Sequence, residues 1–152
     1  MTASAEAAPQ SWASSDAVRR SMQGNRSRDT KPELAVRRLL HRLGLRYRVS
    51  RRPLPALRAT ADIVFPRQHV AVFIDGCFWH ACEKHYRLPA TNTDYWQAKI
   101  GHNVERDQMV NDTLAEAGWT VLRFWSHEAA EDVAMTVAKA VCPGLSVPVP
   151  TL

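Results

Sequence analysis

Apolar and polar positions along the chain follow two periods, and the switches between them mark out the elements. Val36, Leu39, Leu40 and Leu43 recur at the three- and four-residue spacing of one helix face. Thr30-Lys31-Pro32-Glu33 ahead of them reads as a capping box with proline in the first turn, and Gly44 supplies the stop. Residues 45–49 alternate with period two and predict a strand, which ends before Pro53 and Pro55; Ala61-Asp62-Ile63-Val64-Phe65 resumes as a second. Pro66-Arg67-Gln68 turns the chain into residues 69–75, apolar enough for a central strand buried on both faces. Thr93 is placed to cap a long helix over about 94–117, closed by Gly118. Residues 119–125 read as a further strand, and Val133, Val137, Ala140 and Val141 as one face of a short final helix. The order is αβββαβα, with no internal repeat.

Two features of this pattern concern polar residues. On the long helix, steps of three and four from Trp96 reach Ile100, Asn103, Asp107, Val110 and Leu114, so two polar side chains interrupt an apolar seam and need partners. Asp62 sits inside an apolar strand and Asp75 ends the next one, which places two carboxylates on neighbouring strands.

The length of 152 residues fits one domain, expected over residues 19–142. Residues 1–18, rich in Ala and Ser, and 143–152, with three prolines, are expected to be a disordered extension and a flexible tail. No stretch is long and apolar enough for a membrane span, and the start lacks the pattern of a secretory signal, so a cytoplasmic location is expected. Three cysteines cannot all pair within one chain, and a reducing compartment favours thiolate metal ligands over a disulfide framework.

Charge changes the picture more. Residues 19–58 hold 13 of the 20 Lys and Arg against two acids, whereas residues 102–152 hold three basic and seven acidic side chains. One side of such a molecule attracts a polyanion, and nucleic acid is the obvious one; a merely solvated basic face is the other reading. On the first helix, Arg37, Arg38, His41 and Arg42 are expected on the outward face, and residues 19–29 read as an arm along a phosphate backbone.

Cys77, Cys82 and His85 put three soft or borderline ligands in one loop, and His127, just after the last strand, is the expected fourth, with His80 as its competitor. A zinc ion with four protein ligands shapes a loop and activates no water. Catalysis would then lie at the carboxylates. Asp62 and a strand carbonyl near Ile74 offer hard oxygens for magnesium, His80 could handle a proton, and Asp107 could orient that histidine or a metal-bound water. Phe78, Trp79 and Trp96 are either a satellite core or wedges that stack between bases, while Trp119 and Trp125 read as packing residues.

Assembled, these residues resemble the very-short-patch-repair (Vsr) DNA mismatch endonucleases. The resemblance runs through Asp29-Thr30-Lys31-Pro32-Glu33, Ala61-Asp62-Ile63-Val64-Phe65, Gly76-Cys77-Phe78-Trp79-His80, Pro89-Ala90-Thr91, Lys99-Ile100 and Asn103-Val104-Glu105-Arg106-Asp107, over roughly residues 19–127. It implies a restriction-endonuclease-like α/β fold, a central mixed sheet flanked by helices with a zinc-binding loop. It also implies a magnesium-dependent nick on the 5′ side of the mismatched thymine of a T·G pair in double-stranded DNA. By position, the resemblance makes Asp62 the magnesium-binding carboxylate, His80 the catalytic histidine, Asp107 its support and Glu33 a nearby acid, with Asp75 also at the site. It makes Phe78, Trp79 and Trp96 the intercalating wedge and sends Met22 into the minor groove. Arg26, Arg28, Lys31, Lys99 and Asn103 complete the expected DNA contacts. His85 and His127 stand where relatives commonly have cysteine, giving a Cys2His2 set, and Asp75 stands where some relatives have histidine and others an acid. A monomer at the nucleoid, working beside other repair proteins, is the expected setting. A zinc-stabilised DNA-binding module without cleavage, or a restriction-like nuclease cutting matched DNA, would share many of these features.

Overall fold

The computed structural model describes residues 28–77 and 79–145. The expected extension over 1–18, most of the arm over 19–29, and the tail beyond residue 145 lie outside the described residues. So do Met22, Arg26 and Phe78.

Helix α1 (Lys31–Arg42) begins at Thr30, whose Oγ1 accepts from the Glu33 N–H at 3.5 Å. The Glu33 carboxylate reaches back one residue further than in the usual box, accepting from the Asp29 N–H at 2.8 Å. Gly44 ends the helix at φ 81°, with its own N–H on His41 and that of Leu45 on Leu40. This closure buries Leu45. It also displaces the expected strand over 45–49. Residues up to Tyr47 are spent on the helix, the Tyr47 hydroxyl donating to the Arg37 carbonyl at 2.8 Å, and strand β1 is Arg48–Arg51.

Strands β2 (Ala61–Phe65), β3 (Val70–Asp75) and β4 (Thr120–Trp125) complete a sheet in the order β1-β2-β3-β4. The first two pairings are antiparallel; β3 and β4 are parallel and register Asp75 against Trp125. A parallel pair needs a crossover, and the chain from β3 to β4 supplies it as helix α2 (Thr93–Glu116). Helix α3 (Ala130–Val141) comes after β4. Thr93 does not cap α2. Asn92 takes that place at φ 55°, without a side-chain cap bond, and the Thr93 hydroxyl donates to the Pro89 and Ala90 carbonyls instead.

The layers are α/β/α. On one face, Val36 and Leu40 of α1 and Val133, Val137 and Val141 of α3 pack on Ile63, Phe65, Val70 and Val72. On the other, Val110 and Leu114 of α2 cover Ala61, Val64, Ala71 and Phe73. Leu40, Ile63, Phe65 and Leu114 are almost completely buried, each stabilising the fold by about 1.5–3 kcal/mol through water exclusion. The architecture is the mixed sheet flanked by helices of the restriction-endonuclease-like class, and it carries a Cys/His loop between β3 and α2. Among the described residues, no helix is long and apolar enough to cross a membrane.

Candidate active site and metal loop

The parallel strands β3 and β4 end side by side, and the segments leaving their C-terminal ends form the site. The loop after Asp75 is short of regular structure, held by Cys82 N–H on the Cys77 carbonyl and Tyr86 N–H on the Cys82 carbonyl. The chain after β4 continues the pairing through Ser126 N–H on the Asp75 carbonyl, which brings His127 against the loop. Cys77 Sγ stands 3.1 Å from His127 Nδ1 and 3.9 Å from His85 Nδ1; Cys82 Sγ stands 3.8 and 3.7 Å from the same two nitrogens. All four ligand atoms lie within 4.8 Å of one another. Tetrahedral zinc with ordinary bond lengths separates sulfur from nitrogen by about 3.6 Å, so the set fits the ion. His80 is not part of this group; the loop turns it the other way.

His80 Nδ1 is hydrogen-bonded to Asp107 Oδ2 on α2, and its Nε2 faces Asp75 Oδ1 at 3.9 Å. Burial draws the His80 pKa down, but the Asp107 hydrogen bond and the charges of Asp75 and Asp107 outweigh it, and the net direction is up. Asp75, His80 and Asp107 form a second group of ligand atoms within 4.8 Å of one another. The two polar interruptions of the α2 seam therefore have their partners: Asp107 meets His80, and Asn103 donates to the Trp79 carbonyl at 3.0 Å.

Asp62 Oδ2 accepts from the Ile74 N–H at 2.7 Å. It has no ion-pair partner among the described residues. Burial first, and then the charges of Glu33 and Asp75, push its pKa up to about 6, against the Ile74 hydrogen bond and the Arg37 charge. A carboxylate destabilised in this way favours an added cation, and its hard oxygens beside the Ile74 backbone fit magnesium. Glu33 is 3% exposed and ion-paired to Arg37 at 3.0 Å.

Arg37 itself corrects an expectation. It does not share the outward face with Arg38, His41 and Arg42, but is 8% exposed and bonded to both Glu33 and Asp29. Its guanidinium, together with that of Arg28, holds the Asp29 pKa down. Arg28, Lys31 and Lys99 remain exposed, Lys99 above the Tyr95 ring at 5.8 Å. Trp96 is buried, with Trp79 at a centroid distance of 6.0 Å. Trp119 packs beside the α2 core and stacks on His69.

Arg123 and Asn111 are residues that sequence reasoning passed over. Arg123 Nη1 donates to both oxygens of Asp75, at 3.1 and 2.9 Å, and its Nε donates to Asn111 Oδ1 at 2.6 Å. The available signal was a single charge within the otherwise apolar run of residues 121–125.

A mixed sheet that gathers acidic residues and a histidine at its strand ends, beside a Cys/His metal loop, defines a nuclease-like class of protein. Comparison with known proteins gives the family. Residues 14–86 match the model of the DNA mismatch endonuclease Vsr family. The chain is 51% identical over 120 residues to the type II nicking enzyme V.NaeI of Lentzea aerocolonigenes, covering 78% of this chain and 72% of that one. It is 45% identical over 112 residues to the type II nicking enzyme V.XorIIP of Xanthomonas oryzae, covering 72% and 79%. With the DNA mismatch endonuclease Vsr of Escherichia coli it shares 37% identity over 123 residues, 77% of each chain. The chain belongs to the Vsr family of very-short-patch-repair nicking endonucleases.

Proposed function

We propose that this chain nicks one strand of double-stranded DNA on the 5′ side of the mismatched thymine of a T·G pair and so starts short-patch repair. The observation that carries the reading is the His80–Asp107 pair set beside Asp75, with Asp62 buried on the neighbouring strand. Nδ1 of His80 is committed to Asp107, which fixes the ring and leaves Nε2 as the nitrogen that exchanges a proton with the DNA. Asp62 and the Ile74 carbonyl are the residues that hold magnesium, and Glu33 and Asp75 add to the negative field that favours a cation there. Magnesium bound there supplies a Lewis acid for the charge that develops on the scissile phosphate.

Cys77, Cys82, His85 and His127 hold structural zinc and thereby aim His80. Lys31, Arg28, Arg26 and Lys99 contact the backbone. Phe78 and Trp79 open the mismatched step with Trp96 packed behind Trp79 as part of the wedge, Met22 enters the opposite groove, and Asn103 fixes the Trp79 backbone. One chain suffices for one nick in an asymmetric mismatch, so the protein acts as a monomer, at the nucleoid in the cytoplasm. Residues 19–142 are its working domain. Relatives named as nicking enzymes and as a DNA mismatch endonuclease support the single-strand outcome.

The test is a strand-resolved assay on an end-labelled duplex with one T·G pair in varied contexts, with and without magnesium, beside a T·A control. Magnesium-dependent cleavage of the thymine strand alone, immediately 5′ of the mismatch, is the expected result. Binding without cleavage would replace the reading with a DNA-binding module, and cleavage of both strands of the control with a restriction-like nuclease.

A further inference from the structure

The guanidinium of Arg123 is held on three sides. It stacks 4.1 Å from the centroid of Phe73, its partner in the parallel register. Its Nε is fixed by Asn111 of α2, and its Nη1 spans both Asp75 oxygens and approaches Asp107 Oδ1 at 3.7 Å. A planar, permanently charged group anchored this way is a rigid part of the site.

His80 lies between two carboxylates and is bonded to one. The 3.9 Å from Nε2 to Asp75 is too long for a hydrogen bond, and the Asp75 oxygens are instead engaged by Arg123. Without the guanidinium, Asp75 would be a largely buried carboxylate whose remaining cationic side-chain neighbour among the described residues is the imidazole, and a charge-assisted bond would close the gap. Nε2 would then be sequestered, although Nδ1 is already committed to Asp107.

We propose that Arg123 is a positioning residue that holds Asp75 off His80 Nε2 and keeps that nitrogen available to the DNA. The inference rests on the reading of His80 as the proton-handling group of a nuclease.

The experiment is a double-mutant cycle of Arg123→Leu and Asp75→Asn on the T·G duplex. Arg123→Leu lowers the single-turnover rate by about 10-fold or more, with the half-saturating DNA concentration within about 2-fold of wild type. In the Asp75→Asn background the same change costs less than about 3-fold, because no carboxylate remains to capture the ring. Equal costs in both backgrounds would reduce Arg123 to a packing residue and overturn the proposal. Arg123→Gln, which removes the charge and keeps a polar side chain, carries the cycle if the leucine variant does not fold, and Arg123→Lys, which keeps the charge, retains part of the rate. Imidazole NMR separates this inference from the nuclease reading, since it requires no turnover. The His80 Nε2 proton exchanges rapidly with water in the wild type and is protected in Arg123→Leu; equal exchange in the two sinks the inference even if wild-type protein proves unable to nick.

Discussion

Asp62 shows at a single residue how a site can oppose the fold that carries it. Its folded-state pKa of about 6 lies above the ordinary 3.8, so the group favours folding only while protonated, and that contribution is lost as pH rises through about 6. The difference of roughly 2 units corresponds to about 3 kcal/mol of penalty at neutral pH. Asp62→Asn keeps an acceptor for the Ile74 N–H and removes the charge. Without added magnesium it should therefore melt several degrees above wild type near about pH 8, an advantage that shrinks near about pH 5. The same variant should bind mismatched DNA and fail to nick it. Melting curves that coincide at both pH values would show that the carboxylate is not strained. His80 has the same dependence for a different reason. Burial opposes its charged form, Asp107 and Asp75 more than restore it, and the raised pKa adds stability that is full below 6.5 and lost as pH rises through the folded value. Asp107→Asn should destabilise the protein more near about pH 6 than near about pH 9, and lower kcat by about 100-fold with little change in KM. A loss of stability independent of pH would mean that Asp107 only packs.

At the scale of elements, the sequence revealed most where one physical rule acted alone. The α2 seam predicted both its apolar contacts and its need for polar partners, because a helix face has a fixed period and a carboxylate turned toward the protein needs a hydrogen-bond partner. Strand β1 was displaced because two demands met at Gly44: residues 45–47 alternate like a strand, yet closing α1 and anchoring Tyr47 use them first. Arg37 and Arg123 were hidden for a related reason. A charge in an amphipathic pattern reads as solvent-facing unless its counter-charge is known; Glu33 stands one helical turn before Arg37 and was readable as its partner, whereas Asp29 and Asp75 become counter-charges only in three dimensions. The metal loop was legible in its Cys and His spacing, and His127, 50 residues along the chain, was legible as the fourth ligand from its place after the last strand, which the β3–β4 pairing brings against the loop. Among its described residues the loop has no helix or strand of its own, so a zinc ion on its four ligands would be a main constraint on its shape. Stripping zinc with a strong chelator should lower Tm and abolish nicking, and zinc together with magnesium, but not magnesium alone, should restore it. His127→Cys, which exchanges one zinc ligand type for another, should retain about one zinc per chain by elemental analysis. Recovery with magnesium alone would remove zinc from the account.

The charge of the whole molecule is divided much as the chain is. Arg38, Arg42, Arg46, Arg48, Arg51 and Arg52 are exposed on α1 and the strand after it, while Glu105, Asp112 and Glu116 are exposed on α2 across the sheet. The α1 side therefore attracts phosphates, while the exposed acids of α2 beyond Lys99 repel them, a division that would orient a duplex before any base is read. Each phosphate neutralised releases condensed counterions, so the affinity should fall steeply with salt, by about 0.9 of a log unit per contact for each tenfold rise. Arg38→Gln combined with Arg42→Gln lies outside the catalytic cluster. It should weaken binding to matched and mismatched duplex alike and reduce the salt slope by about 2, while single-turnover nicking at saturating DNA is preserved. Charge reversal at Glu105 and Asp112 on the far side should leave the slope unchanged. If the α1 pair leaves the slope intact and the α2 pair steepens it, the duplex lies along α2, and the basic helix serves the fold or another partner.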